Sequence, residues 1–296
     1  MKARDLFLAI IIVTIWGINF TVIKLGLGGV PPILLVALRY TLAALPAIFF
    51  IKKPQTSWKY IIAYGMTVGI GQFSCLFCAI KMGMPAGISS VVLQAQAFFT
   101  IIFAAILFKE KIKISQIIGL CIAASGLVFI SGAIGSHQTA HVPLGALLLT
   151  LLAAVFWGLS NIIARKASEE TFAEGRKLNM LSLVVWSSLI PPLPMFAGSM
   201  IVDKPAEIWM ALTNLSAVSI FAILYLSLLS TVLAYGMWGT LLAKYPAGKV
   251  APLSLLVPVT GLITARIVLK EELLTMQWVG VVVVILGLVI ANFVRK

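Results

Sequence analysis

The chain has 296 residues, of which 61% are hydrophobic and only 10% charged, and it carries a net charge of +13 at neutral pH. A soluble domain carries about 25% charged residues, so a soluble enzyme or binding module of this length is excluded. The excess Lys and Arg does not form a nucleic-acid face, because it sits in the connections between apolar runs, where it orients a membrane protein and meets anionic headgroups.

A bilayer core about 30 Å thick needs about 20 apolar residues per helix. The sequence predicts ten such spans, at residues 6–25, 33–51, 60–80, 86–108, 114–131, 144–163, 180–201, 217–238, 250–269 and 276–294. The first could pass for a signal peptide, but no small-x-small cleavage site follows it, so it is read as an uncleaved helix. Arg39 lies in the second span, where it could neutralise a carboxylate on a substrate or at a helix C-terminus; the structural role is preferred. Gly65 and Gly69 in the third form a GxxxG, expected to pack within the bundle. Cys75, Cys78 and Cys121 all lie in apolar spans and imply no disulfide framework. His137 and His141, four apart, have a spacing compatible with a metal, but they stand in a loop without Cys or carboxylate nearby. Neither metal nor cofactor is expected.

The nine acidic residues all fall outside the spans. Glu110 and Glu271 are expected to cap helix ends or pair with adjacent Lys. Proton-driven carriers generally use carboxylates at membrane depth, so facilitated diffusion stays open. With the N-terminus inside, the cytoplasmic segments hold sixteen Lys and Arg and the outer ones only Lys24, Lys81, Lys204 and Lys270. The positive-inside rule then puts both termini in the cytoplasm.

The sequence also repeats. Pro85-Ala86-Gly87 recurs as Pro246-Ala247-Gly248, a shift of 246 − 85 = 161, and the register carries Lys109-Glu110 onto Lys270-Glu271. Thirteen of forty-five positions from Pro85 to Phe129 are identical in that register. Trp16-Gly17 also falls on Trp157-Gly158, at a different shift of 157 − 16 = 141. The expected fold is therefore an all-α membrane protein of two five-helix units, residues 1–135 and 136–296. Five is odd, so the second unit is inverted in the membrane, and such repeats build a substrate site near the midplane with alternating access.

Polar groups at membrane depth usually face the bundle interior or a cavity. Asn19, Gln72, Gln94, Gln96, Asn161 and Ser254 are of this kind. Gln94 and Gln96 should point about 200° apart on an α-helix, so one is expected to bind substrate and the other to pair with a neighbouring helix. Trp16 and Trp157 share helix faces with Asn19 and Asn161, and Tyr235 joins them as apolar wall. Pro252 and Pro258 are expected to bend the ninth span during gating, each leaving a backbone carbonyl unpaired. The expected partners are a small-molecule substrate and the bilayer, with no nucleic acid, the chain being a monomer or weak dimer.

The motifs Trp16-Gly17-x-Asn19-Phe20, Leu38-Arg39-Tyr40, Pro85-Ala86-Gly87 and Lys109-Glu110, over two five-helix halves, resemble the EamA family of the drug/metabolite transporter superfamily. Gly83-Met84-Pro85-Ala86-Gly87, the stretch Val92 to Thr100, Tyr235-Gly236-x-Trp238-Gly239 and the stretch Val250 to Val259 are similar to members that export O-acetylserine and cysteine. The resemblance implies an inner-membrane exporter of small amino-acid metabolites. Exporters of aromatic amino acids or toxic organic compounds, a passive channel, and a membrane-embedded lipid-modifying enzyme are the rival readings.

Overall fold

The computed structural model describes residues 1–131, 142–245 and 250–293. Lipid offers backbone amides no partner, so each apolar run closes its hydrogen bonds internally as a helix. In chain order these are α1 (Ala3–Gly26), α2 (Pro32–Ile48), α3 (Trp58–Lys81), α4 (Ala86–Phe108), α5 (Ile114–Ser131), α6 (Leu144–Ala173), α7 (Met180–Val202), α8 (Pro205–Thr213), α9 (Ala217–Leu242), α10 (Leu253–Leu269) and α11 (Thr275–Phe293). Six of them, α1, α3, α4, α6, α7 and α9, are long and apolar enough to cross a membrane, and α2, α5, α10 and α11 contain shorter apolar helices. Among the described residues there is no strand.

Three details depart from the hydropathy pattern. Helix α6 continues to Ala173 instead of ending near residue 163, because Arg165 and Glu169 pair across one turn at 2.8 Å and Gly175, at φ 72°, supplies the stop. Helix α7 is broken between Ser187 and Pro192, where Pro191 and Pro192 cannot donate to the ladder. Helix α8 is additional; Pro205 opens it with Glu207 in its first turn, and it is too short to register as a span.

Backbone irregularities recur with their last residues at one offset. A π-helical stretch occupies Gly65–Gln72 in α3 and Tyr225–Leu233 in α9, and 233 − 72 = 161. A 3-10 stretch occupies Leu93–Ala95 in α4 and another, Ala251–Leu256, runs into the start of α10, their last residues 256 − 95 = 161 apart. Lys109 and Lys270, also 161 apart, both end their helices in the left-handed region at φ 56°.

The halves interlock instead of standing apart. Helix α1 packs along α10, α4 along α6, and α5 along α11. The last pair crosses on glycines: a Cβ on Gly119 would lie 2.5 Å from the Gly287 carbonyl, and one on Gly126 2.8 Å from the Gly280 carbonyl. Gly65 and Gly69 likewise face Ser187 and Pro191 of α7 within the same chain.

The two ends of the bundle are tied differently. At one, Asp5 accepts from the Tyr245 hydroxyl at 2.7 Å and from Lys244 at 3.3 Å. At the other, Lys81 donates to the Leu27 carbonyl at 3.0 Å, and Glu271 accepts from the amides of Ala86 and Gly87 at 2.8 and 3.0 Å. Pro85 has no side-chain acceptor for those first-turn amides, so the carboxylate beyond α10 caps α4 in its place. Glu110 pairs with Arg165 at 2.6 Å, not with its neighbouring lysines. His137, His141, the Pro246-Ala247-Gly248 motif, the 135/136 boundary and the last two basic residues lie outside the described residues.

Candidate functional site

Interlocking helices from the earlier and later parts of the chain line a chamber of about 290 Å³. At roughly 30 Å³ per water, it would hold about ten waters or one small metabolite. All eight residues singled out from the sequence line it: Trp16 and Asn19 from α1, Gln94 and Gln96 from α4, Trp157 and Asn161 from α6, Tyr235 from α9 and Ser254 from the start of α10.

Four of them, Trp16, Asn19, Gln96 and Asn161, are held by side-chain hydrogen bonds. Trp16 donates from its indole to the Ser230 carbonyl at 3.2 Å, and its ring centroid lies 5.2 Å from that of Tyr235 and 5.1 Å from that of Trp238. Tyr235 and Trp238 are thus chamber wall and not an interfacial belt. Asn19 accepts from the Ser230 hydroxyl at 2.8 Å. Asn161 donates to Gln96 at 2.7 Å and to Thr100 at 3.1 Å, joining α6 to α4.

Gln94 and Gln96 both line the chamber, contrary to the expectation that only one can face it. The reason is the 3-10 turn at Leu93–Ala95. Three residues per turn bring positions i and i+2 to about 120° apart, against about 160° on an α-helix, and the chamber wraps the difference.

The gating expectation for the prolines needs a correction. Pro258 is buried in the first turn of the α-helical part of α10, and the Val257 amide bonds the Ser254 carbonyl in a 3-10 turn. The carbonyl that Pro258 leaves is therefore paired. Pro252 belongs to the 3-10 segment, and its side chain lies outside the described residues.

The most unusual wall residue is one that sequence reasoning alone assigns to a structural role. Arg39 of α2 is 1% exposed and lines the chamber, and it meets neither a carboxylate nor a helix end. Its Nε and Nη2 donate to Thr231 Oγ1 at 3.3 and 3.0 Å, and its guanidinium carbon lies 3.8 Å over the Phe73 ring. Its Nη1 has no partner, nor does Oε1 of Gln72, which is 3% exposed and lines the same chamber. The available signal is an Arg in a span that contains no acid.

The chamber is directional. Its lining passes from Asn19 and Gln94, 5% and 4% exposed, to Leu242, 37% exposed, near the end where Asp5 meets Lys244. The end capped by Glu271 carries a surface groove of about 400 Å³ beside Arg266, Glu272 and Trp278. Arg266 already pairs with Glu272 there at 2.9 Å. The Arg165 guanidinium holds the Glu110 carboxyl below the usual carboxylate range.

Comparison with known proteins agrees with this architecture. The EamA-like transporter family matches residues 4–132 and 144–293. The chain is 43% identical over 293 residues to a probable amino-acid metabolite efflux pump of Salmonella typhimurium, covering 99% of this chain and 96% of that protein. It is 42% identical over 294 residues to a protein of the same name in Escherichia coli, with the same coverage. A solved crystal structure superposes with a TM-score of 0.64 at 17% identity, covering 99% of this chain and 97% of that one, a likeness of fold.

Proposed function

The chain belongs to the EamA-like transporter family, and on that premise we propose that it exports small amino-acid metabolites of the cysteine and O-acetylserine type across the inner membrane. Its ten apolar helices span as two inverted five-helix halves with both termini in the cytoplasm, and transport proceeds by alternating access. The observation that carries the reading is the chamber itself. It lies between the halves, is lined by both, and combines an aromatic wall with amides at a volume suited to one small metabolite. The names of the 43% and 42% identical relatives point to the same substrate class.

In this arrangement the Asp5–Lys244 end faces the cytoplasm, so the chamber as it stands takes substrate from inside. The contacts of Glu271 and Lys81 close the outer end. Export requires those contacts to open while the wider end closes. Pro258 sits where α10 changes from 3-10 to α-helix, a junction suited to a change of bend. The same-fold rival, an exporter of aromatic amino acids or toxic organic compounds, is favoured by the clustered rings of Trp16, Tyr235 and Trp238.

Cells overproducing the protein should release more cysteine and O-acetylserine into the medium than vector controls. Equal release of both, with the protein present in the membrane, would contradict the substrate assignment, and a gain in aromatic amino acids instead would favour the rival.

A further inference from the structure

Several polar atoms of the chamber already have partners within the protein. Asn19 Oδ1 is taken by Ser230, and Gln96 Oε1 by Asn161. Two buried side-chain atoms are left over, Arg39 Nη1 and Gln72 Oε1, and both residues line the same chamber.

The two leftovers are of opposite kind. Arg39 carries a fixed positive charge and a planar fork of donors. No acidic side chain lies within ion-pair distance of it, although all nine acids are among the described residues. A lone cation at membrane depth is costly, and it is retained where an anion visits it. Phe73 beneath the guanidinium and Thr231 at its side fix the plane, so the free edge is preoriented. Gln72 Oε1 is an acceptor at 3% exposure with nothing to accept, so it suits a donor brought by the ligand.

We propose that Arg39 and Gln72 form the head-group subsite of this chamber, the guanidinium binding the carboxylate of an α-amino acid and the Gln72 carbonyl oxygen accepting from its ammonium group. The inference rests on the reading of the chain as an amino-acid metabolite carrier and specifies what that carrier recognises. The ligand's side chain then points along the Trp16, Tyr235 and Trp238 wall, which is tolerant of shape. Selectivity resides in the zwitterion, and substrates share a head group while differing beyond it.

The test is binding to the purified protein in lipid nanodiscs, read by quenching of tryptophan fluorescence. The probes are O-acetylserine, its methyl ester, which lacks the carboxylate, and N,O-diacetylserine, which lacks the ammonium. Wild-type protein should bind the ester and the N-acetyl compound at least about tenfold more weakly than O-acetylserine, the scale of a lost charge-assisted hydrogen bond. Arg39→Gln should weaken O-acetylserine by about the same factor and leave the ester unchanged, and Arg39→Lys should restore part of the loss because it keeps the charge but not the fork. Equal binding of acid and ester by wild-type protein would overturn the proposal, and this comparison stands even where Arg39→Gln does not fold. A penalty from Arg39→Gln that falls equally on acid and ester would also overturn it. If O-acetylserine does not bind but phenylalanine does, with the same dependence on carboxylate and Arg39, the cysteine-pathway reading fails and the subsite stands. If no α-amino acid binds the folded protein, the subsite is overturned.

Discussion

Gln94 illustrates what a single residue discloses. A neutral amide in an apolar span is costly unless it faces a partner or a cavity, and this makes Asn19, Gln94, Gln96 and Asn161 stand out in the sequence alone. The 3-10 turn that brings Gln94 to the same wall as Gln96 leaves no trace in the local sequence. Gln94→Ala is expected to reduce transport about three- to tenfold, the scale of one neutral hydrogen bond, with unchanged insertion; flux at matched expression measures it, and full flux would remove Gln94 from the site. Arg39 is equally visible as a charge in a span. What the sequence does not disclose is the absence of any acid near it, because that depends on how nine carboxylates outside the apolar runs are distributed in space. Trp238 lies at the end of its predicted span, and only the contact with Trp16 shows it turned inward.

At the scale of elements, ten apolar runs are legible because a bilayer leaves a chain few alternatives. Their ends are not. The extension of α6 depends on the pairing of Arg165 with Glu169, and the break in α7 on two adjacent prolines inside an apolar run. The crossing of α5 on α11 is closed by backbone contact at four glycines, so Gly119→Ala should overpack it by about 1–3 kcal/mol, measured as a lower melting temperature in detergent; an unchanged value would mean that the helices separate freely there. Glu271 caps α4 from across the molecule. Glu271→Ala leaves two first-turn amides without their acceptor and should cost about 1–2 kcal/mol. Within the proposed transport cycle it should also increase labelling of a cysteine placed at Gly87 by an impermeant thiol reagent added from outside. Unchanged labelling would show that other contacts hold that end. For Glu110 the sign follows from its lowered pKa: the pair with Arg165 stabilises fully above the ordinary carboxylate range of about 4 and is lost as pH falls through the lower folded value. The melting temperature of Glu110→Gln should therefore sit slightly below wild type at pH 7 and merge with it in acid. A difference that persists at low pH would assign the effect to packing.

For the whole molecule, the sequence shift of 161 has counterparts in the last residues of the π-helical and 3-10 stretches and in the two left-handed lysines. The periodicity is legible because Pro-Ala-Gly and Lys-Glu pairs are rare in apolar sequence. The interlocking of the halves is not, since a repeat specifies similar units and says nothing of which faces meet. The central claim is that the chamber between the halves carries amino-acid metabolites across the membrane. Flux of radiolabelled cysteine and O-acetylserine into proteoliposomes of the purified protein, with and without a pH gradient, tests it most directly. The account predicts saturable flux of at least one compound, accelerated by unlabelled substrate on the opposite side and reduced in Gln94→Ala. Absence of flux for both, in vesicles holding folded protein, or flux indifferent to the chamber substitution, would contradict it.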